Sequence, residues 1–249
     1  MITEYHRPQT LEETLILLAA PDTHPLGGGT VLSQPGDESF AVVDLQALGL
    51  DKLHKLGNNL EIGATVTLQS LLESSLTPTA LKANIKLEAP LNVRNMGTVA
   101  GALVTCDGRS PFSAVMLVLD AKLTIVGKES SIISLGDFLL LRQDILRGKL
   151  ITRVKIPLHT KLTFETVARS PADKPIVCVA LAQWPSGRTR LVIGGWGKSP
   201  TLAMDGNDSS AVQTAARNAA HDATDEWASA EYRSEIAAVL SKRCLEEIQ

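Results

Sequence analysis

Cysteine is scarce: Cys106, Cys178 and Cys244 lie far apart, with no C-x-x-C spacing. Such a distribution argues against a disulfide framework and against a closed zinc or iron-sulfur site, leaving three reduced thiols as the expectation. The five histidines are scattered, and none forms an H-E-x-x-H or paired arrangement that would bring two nitrogens to one metal. A structural or surface role is expected for each. Aromatic residues make up only 4% of the chain, and no Lys/Arg run is interleaved with them. A phosphate-tracking surface, and with it a nucleic-acid partner, is therefore not expected. The longest apolar segments fall well short of the ~20 residues of a membrane span. Met1 to Arg7 is polar and charged, unlike a secretory signal. These absences together lead to the expectation of a soluble, cytoplasmic protein.

What the chain does have is enough apolar mass for a real core: 249 residues, 44% of them hydrophobic, with a formal charge of −3. Thr10-Leu11-Glu12-Glu13 reads as a capping box opening a first helix that ends near Pro21. Phe40 to Leu45 reads as a buried strand, and Leu53 to Leu56 with Leu60 to Ala64 as a hairpin around Gly57-Asn58-Asn59. Thr67 caps a helix over Leu68, Leu71 and Leu72, and a further helix runs from about Ala80 to Ala89. Ser110-Pro111 opens the helix Phe112 to Leu119, since proline at the first helical position loses no intrahelical bond. Strands at Leu123 to Val126 and Leu150 to Ile156 follow, with a short helix capped by Ser134 between them. Beyond Pro157 come three apolar strands, about 162–168, 176–183 and 189–194, and then two alanine-rich helical segments. The last helix carries Tyr232, Ile236, Val239, Leu240 and Cys244 as its inward stripe, with Arg233 and Glu235 outside it. The pattern is α+β, with a smaller second domain.

Gly27-Gly28-Gly29-Thr30, set between a helix and a strand, is the most informative local feature. Glycines take positive φ and let successive N–H groups aim at one point, a nest suited to a pyrophosphate; the plainer alternative is a flexible turn. The G-x-x-x-x-G-K-[ST] lysine and the G-x-G-x-x-G spacing are both missing. A second glycine-containing loop, Arg94 to Gly101, could offer further N–H groups, with Thr98, Thr105 and Asp107 as polar anchors for ribose or phosphate; its alternative is a tight turn into a buried helix. Two such nests suit a dinucleotide.

The order of these segments resembles the flavoprotein (medium) subunit of the molybdopterin-dependent xanthine dehydrogenase and carbon monoxide dehydrogenase family. Gly27-Gly28-Gly29-Thr30 resembles that family's A-G-G-T loop, Val43-Asp44-Leu45 and Leu60 to Ala64 its V-D-L and I-G-A strands, and Thr98 to Gly101 its T-I-G-G. Gly148 to Pro157 resembles the strand closing the FAD domain, and Ser229-Ala230-Glu231-Tyr232-Arg233 the S-x-E-Y-R start of the final helix. The resemblance covers nearly the whole chain. It implies a two-subdomain FAD-binding domain of the vanillyl-alcohol-oxidase/p-cresol-methylhydroxylase type over residues 1–158, split near residue 60. A small domain with a three-stranded antiparallel sheet and helices, like the carbon monoxide dehydrogenase flavoprotein C-terminal domain, follows over 159–249.

The implied cofactor is FAD, held by Leu26, Gly27, Gly28, Gly29, Thr30, Val31 and Leu32 from the first loop and by Thr98, Ala100, Gly101, Ala102, Thr105 and Asp107 from the second. Leu150 and Ile151 are implied near the flavin. The implied role is to pass electrons from iron-sulfur clusters to an external acceptor, beside a molybdopterin-binding large subunit and a 2Fe-2S small subunit. No catalytic residue and no metal ligand is expected in this chain, because the redox chemistry belongs to the cofactor. The sequence departs from the pattern at Ala100, in place of the first glycine of T-I-G-G, at Ala102, where asparagine is usual, at Pro111, where aspartate is common, and at Thr166, where lysine is frequent. A positive φ at Ala100 would cost of order 1 kcal/mol. These departures motivate an alternative, an FAD-free paralogue serving as an assembly or interaction module. A third reading is a stand-alone flavin oxidoreductase.

Overall fold

The computed structural model describes residues 1–170 and 173–248. Along the chain run β1 (Ile2–His6), α1 (Leu11–Leu18), β2 (Thr23–Leu26), β3 (Phe40–Asp44), β4 (Leu53–Leu56), β5 (Asn59–Gly63), α2 (Leu68–Glu73) and α3 (Thr79–Glu88). Next come α4 (Leu91–Met96), α5 (Val99–Thr105), α6 (Pro111–Val118), β6 (Lys122–Val126), β7 (Ser130–Ser134), α7 (Leu135–Leu146) and β8 (Leu150–Pro157). The remainder comprises β9 (Lys161–Val167), β10 (Val177–Gln183), β11 (Thr189–Gly194), β12 (Thr201–Gly206), α8 (Val212–Ala219) and α9 (Ala230–Ile248). No helix among the described residues is long and apolar enough to cross a membrane. The chain divides into two compact units, and each draws on three stretches of sequence. Unit 1 comprises Met1–Leu76, Leu91–Thr105 and Lys122–Lys155; unit 2 comprises Thr77–Pro90, Cys106–Ala121 and Ile156–Gln249.

Unit 1 contains two sheets. In the first, β1 and β2 lie parallel to the central strand β3. Only β3 shows the expected apolar run, because its Val42 and Val43 are fully buried, whereas four of the five residues of β1 are exposed. Helix α1 is set by its cap: Thr10 Oγ1 accepts the Glu13 N–H at 3.2 Å, and the Glu13 carboxylate accepts the Gln9 N–H at 3.0 Å. Its Leu18 packs with Val43, Leu45 and Leu150. The second sheet has the order β4-β5-β8-β6-β7. The β4–β5 hairpin turns through Gly57, whose φ of +57° suits glycine. Thr67 accepts the Ser70 N–H at 3.0 Å and so starts α2.

In the segment read as a second glycine loop, the structure forms two short helices, α4 and α5, separated only by Gly97 and Thr98. Thr98 is the reason: its Oγ1 accepts the Gly101 N–H at 3.1 Å and its carbonyl accepts the Ala102 N–H at 2.9 Å, so it caps α5. Ala100 therefore sits in the first turn of a helix. The only non-glycine residues at positive φ among those described are Asp22 and Asp120. The strain expected at Ala100 does not arise.

Unit 2 is built on an antiparallel sheet of order β12-β11-β10-β9, which adds a fourth strand, β12, to the three read from the sequence. Helices α8 and α9 supply Val212, Ala216, Ala237, Leu240, Cys244 and Ile248 to a core shared with Val177, Val179, Leu181, Leu191 and Ile193. Helix α6 also contacts β10 and β11, and all eight of its residues are buried. Strands covered in this way lose the alternation of a half-solvated sheet, which is why β10 and β11 read as near-continuous apolar runs. Ser110 caps α6 as expected, accepting the Ser113 N–H at 3.0 Å with Pro111 at the first position.

The expected stripe of α9 needs correction. Tyr232 and Val239 are 44% and 45% exposed, whereas Arg233, placed outside the stripe by sequence, is fully buried. Its guanidinium donates to the carbonyls of Ile176 (3.1 Å), Gly195 (3.3 Å), Ala228 (3.3 Å) and Ala223, and to Asp225 Oδ1 at 2.7 Å. Four carbonyls and a carboxylate replace the water that the cation loses, which is the condition under which burial of an arginine is tolerated.

Candidate cofactor site

The parallel strands of the first sheet end together, and the triple glycine leaves β2 at that end, immediately after Leu26 pairs with Asp44. The carboxyl ends of parallel strands are where open α/β sheets place their ligands. The three glycines have different tasks. A Cβ on Gly27 would stand 2.9 Å from Thr98 Oγ1, and one on Gly28 would stand 1.7 Å from the carbonyl oxygen of Met96. These two residues thus permit the first loop to lie directly on the α4–α5 junction. Gly29 instead supplies a backbone turn, with φ of +68°.

From Gly29 the chain makes a single helical turn, closed by the Ser33 N–H donating to the Gly29 carbonyl at 2.9 Å. As in the first turn of any helix, the next amides have no acceptor within the turn. No acceptor for the amides of Thr30, Val31 and Leu32 is found among the described residues. The residues bearing them line one open cleft together with Pro25, Gly27, Gly28, Gly29, Thr98, Gly101 and Thr105. Unsatisfied main-chain donors gathered around an open cleft fit an anionic group such as a diphosphate.

The second element contributes differently from what its sequence led us to expect. The Val99 N–H donates to Val66 O at 2.8 Å, Ala100 to Ala64 O at 3.2 Å, Gly101 to the Thr98 hydroxyl, and Ala102 to Thr98 O. Its amides are therefore engaged within the protein, and what faces the cleft is the side of α5 carrying Thr98, Gly101 and Thr105. The Thr105 hydroxyl donates to Gly101 O at 2.9 Å and keeps its lone pairs as acceptors.

Of the residues singled out by sequence, the cleft thus gathers Gly27, Gly28, Gly29, Thr30, Val31, Leu32, Thr98, Gly101 and Thr105. Leu26 closes β2, with its carbonyl accepting the Leu45 N–H at 3.1 Å. Ala100 and Ala102 lie on α5 outside the cleft lining. Leu150 and Ile151 are 4% and 3% exposed, and Leu150 belongs to the core around Val43. Asp107 belongs to unit 2, where its carboxylate accepts the Arg109 N–H at 2.9 Å and pairs with Lys174 at 2.6 Å. Sequence reasoning missed Pro25 and the Met96 carbonyl, the latter acting through its backbone and so leaving no signal in residue type. Among the described residues no group of three or more His, Cys, Asp or Glu side chains gathers to hold a metal ion. The three cysteines are buried and form no disulfide.

Residues 1–159 match the family described as the FAD binding domain in molybdopterin dehydrogenase. The chain is 26% identical to the glyceraldehyde dehydrogenase medium chain of Sulfolobus acidocaldarius, covering 98% of this chain and 97% of that one. It is also 26% identical to the carbon monoxide dehydrogenase medium chain of Afipia carboxidovorans, covering 98% and 95%. In fold it is similar to the cyanide-inactivated form of a Cu,Mo-CO dehydrogenase, with a TM-score of 0.82 and 24% identity over 100% of this chain and 98% of that one. The open turn at the triple glycine and the family match over more than half of the residues lead to one conclusion: the chain belongs to the family of FAD binding domains in molybdopterin dehydrogenases.

Proposed function

We propose that this chain is the FAD-carrying medium subunit of a molybdenum hydroxylase, taking electrons from iron-sulfur clusters and handing them to an external acceptor. The observation that carries the proposal is the turn after Gly29, with the amides of Thr30, Val31 and Leu32 open beside Thr98 and Thr105 on a single cleft. When bound, FAD supplies the exchange between one-electron and two-electron transfer. The chain itself binds and orients. The amides after Gly29 hold the diphosphate, the Thr98 hydroxyl donates to it from the start of α5, the Thr105 oxygen, whose proton is given to Gly101 O, accepts from a ribose hydroxyl, and Gly27 and Gly28 keep the two elements in contact. Leu26, Ala100, Ala102, Asp107, Leu150 and Ile151 are retained as further proposed cofactor-binding residues. No general acid, base or nucleophile is required of the protein.

The partners are a molybdopterin-binding large subunit and a 2Fe-2S small subunit, in keeping with the medium-chain names of relatives that match along almost their whole length. A cytoplasmic location accords with the free cysteines. Residues 159–249 are read as the small domain that accompanies the FAD domain in such subunits. With Ala100 helical and unstrained, the FAD-free reading loses its main physical motive. The test is a spectrum. The purified chain is expected to be yellow, or to become so on addition of FAD, with a stoichiometry of about one. A colourless protein whose melting temperature and fluorescence ignore added FAD would refute the proposal.

A further inference from the structure

We propose that Asp44 is a positioning residue for the triple-glycine loop, acting through the last rung of the first sheet, with Tyr5 as its support. The inference rests on the FAD reading above and concerns how the chain prepares the cleft. Asp44 closes the central strand β3 and is only 4% exposed. Its Oδ1 accepts the Gln46 N–H at 2.9 Å, turning the chain sharply into the 3-10 turn Gln46–Leu48. That turn presents the Leu45 N–H to the Leu26 carbonyl, the final hydrogen bond of β2 before Gly27. The other carboxylate oxygen accepts the Tyr5 hydroxyl, and Arg7 Nε lies 3.8 Å away.

One buried side chain therefore touches the ends of two strands of the sheet and sets the residue from which the glycine loop departs. The Tyr5 bond accounts for the phenol's elevated pKa: the hydrogen bond to Asp44 is the largest cause, followed by desolvation and the nearby negative charge, with Arg7 opposing. A carboxylate near a proposed diphosphate site is unfavourable as a charge, so its presence there needs a compensating task. The Gln46 bond provides that task, and the Tyr5 and Arg7 donors offset the charge. It follows that the hydrogen-bonding oxygen of Asp44 matters to the loop more than its charge does.

The experiment uses the full chain and FAD as the probe, with affinity and melting temperature measured for wild type, Asp44→Ala, Asp44→Asn, Tyr5→Phe and, as a stability control in unit 2, Ile193→Ala. Asp44→Ala is expected to weaken FAD binding by roughly tenfold, the effect of one lost fixing hydrogen bond. Asp44→Asn, which retains an acceptor for Gln46, is expected to stay within about threefold of wild type, and Tyr5→Phe to weaken binding by about threefold. Ile193→Ala is expected to lower the melting temperature without changing the affinity. Equal affinities for wild type, Asp44→Ala and Tyr5→Phe overturn the inference, as does an Asp44→Asn that binds as poorly as Asp44→Ala. Should Asp44→Ala not fold, Tyr5→Phe on its exposed side chain carries the test. A wild type that takes up no FAD removes the functional reading itself, and the inference with it.

Discussion

Replacing Gly28 with alanine adds one methyl group at a point where the protein has no room for it. The new Cβ would lie 1.7 Å from the Met96 carbonyl oxygen, 2.5 Å from its carbon and 3.1 Å from Gly97 N. All three are main-chain atoms, so no rotamer change relieves the overlap, and the two segments must part by more than an ångström. Ordinary overpacking costs about 1–3 kcal/mol when side chains can give way; with backbone on both sides the upper end, about 3 kcal/mol, applies. In a chain of this size that corresponds to a fall in melting temperature of roughly 6–12 °C. Gly29→Ala meets only the flexible Leu26 Cδ1 at 3.2 Å but must hold φ at +68°, a strain of about 1 kcal/mol. Gly36→Ala faces open space without a positive φ and should be neutral or stabilise by about 0.4–1 kcal/mol. Calorimetric melts of the three variants, with FAD titrations alongside, are expected to rank Gly28→Ala far below Gly29→Ala and that below Gly36→Ala. Parting the loops should also weaken FAD binding by roughly tenfold or more in Gly28→Ala. A Gly28→Ala protein that melts with wild type would refute the close approach on which the site is built.

Ala100→Gly, which restores the family's usual residue, is expected to cost at most about 1 kcal/mol of stability, since residue 100 lies in the first turn of α5 and not in a helix interior, and to leave FAD affinity unchanged; a large gain in affinity would contradict the helical placement of residue 100. Glu88 accepts the Ser110 hydroxyl and the Phe112 N–H, each at 2.9 Å. The residue as a whole is only partly buried, but its carboxyl is enclosed. Burial pushes it from 4.5 up to about 7, against the lowering effects of Phe112, Ser110 and Lys174, while Asp107 adds to the rise. The folded state therefore holds this proton more tightly than the unfolded one, and the Glu88 contribution to stability falls as pH rises from about 4.5 to about 7. Urea unfolding across that range should show the slope in wild type and lose it in Glu88→Gln. Arg233→Met should destabilise by about 3–5 kcal/mol because Asp225 and several carbonyls lose their donor together; a denaturation midpoint near wild type would show that the buried guanidinium is dispensable.

Local chemistry was legible wherever one side chain decides the outcome. Thr10, Thr67, Ser110 and Ser134 each accept an N–H three residues on, as their sequences indicate. The strands that escaped notice are β1, β2, β7 and β12, all at sheet edges. An edge strand is largely solvated and needs no apolar run, so its identity lies in its partner and not in its own residues. The glycine at Gly97-Thr98 points to a loop, whereas a threonine cap and small residues make the junction the joint between two helices. Helical spacing puts Arg233 outside the apolar stripe, and only the carbonyls brought together from distant parts of the chain explain its burial. In the cleft, glycines and threonines were legible, but which amides remain open depends on acceptors such as the Ala64 and Val66 carbonyls, whose positions no motif encodes.

The interleaving of the two units affects how this chain can be cut. Helix α6 is encoded in its first half, yet the strands it packs on, β10 and β11, are encoded beyond residue 176. A fragment stopping near residue 158 would carry an eight-residue apolar rod and α3 with no sheet to cover them, so a minimal flavin-binding piece made that way should be sticky and insoluble. During synthesis the same rod has no strands to pack on until the C-terminal third of the protein has emerged.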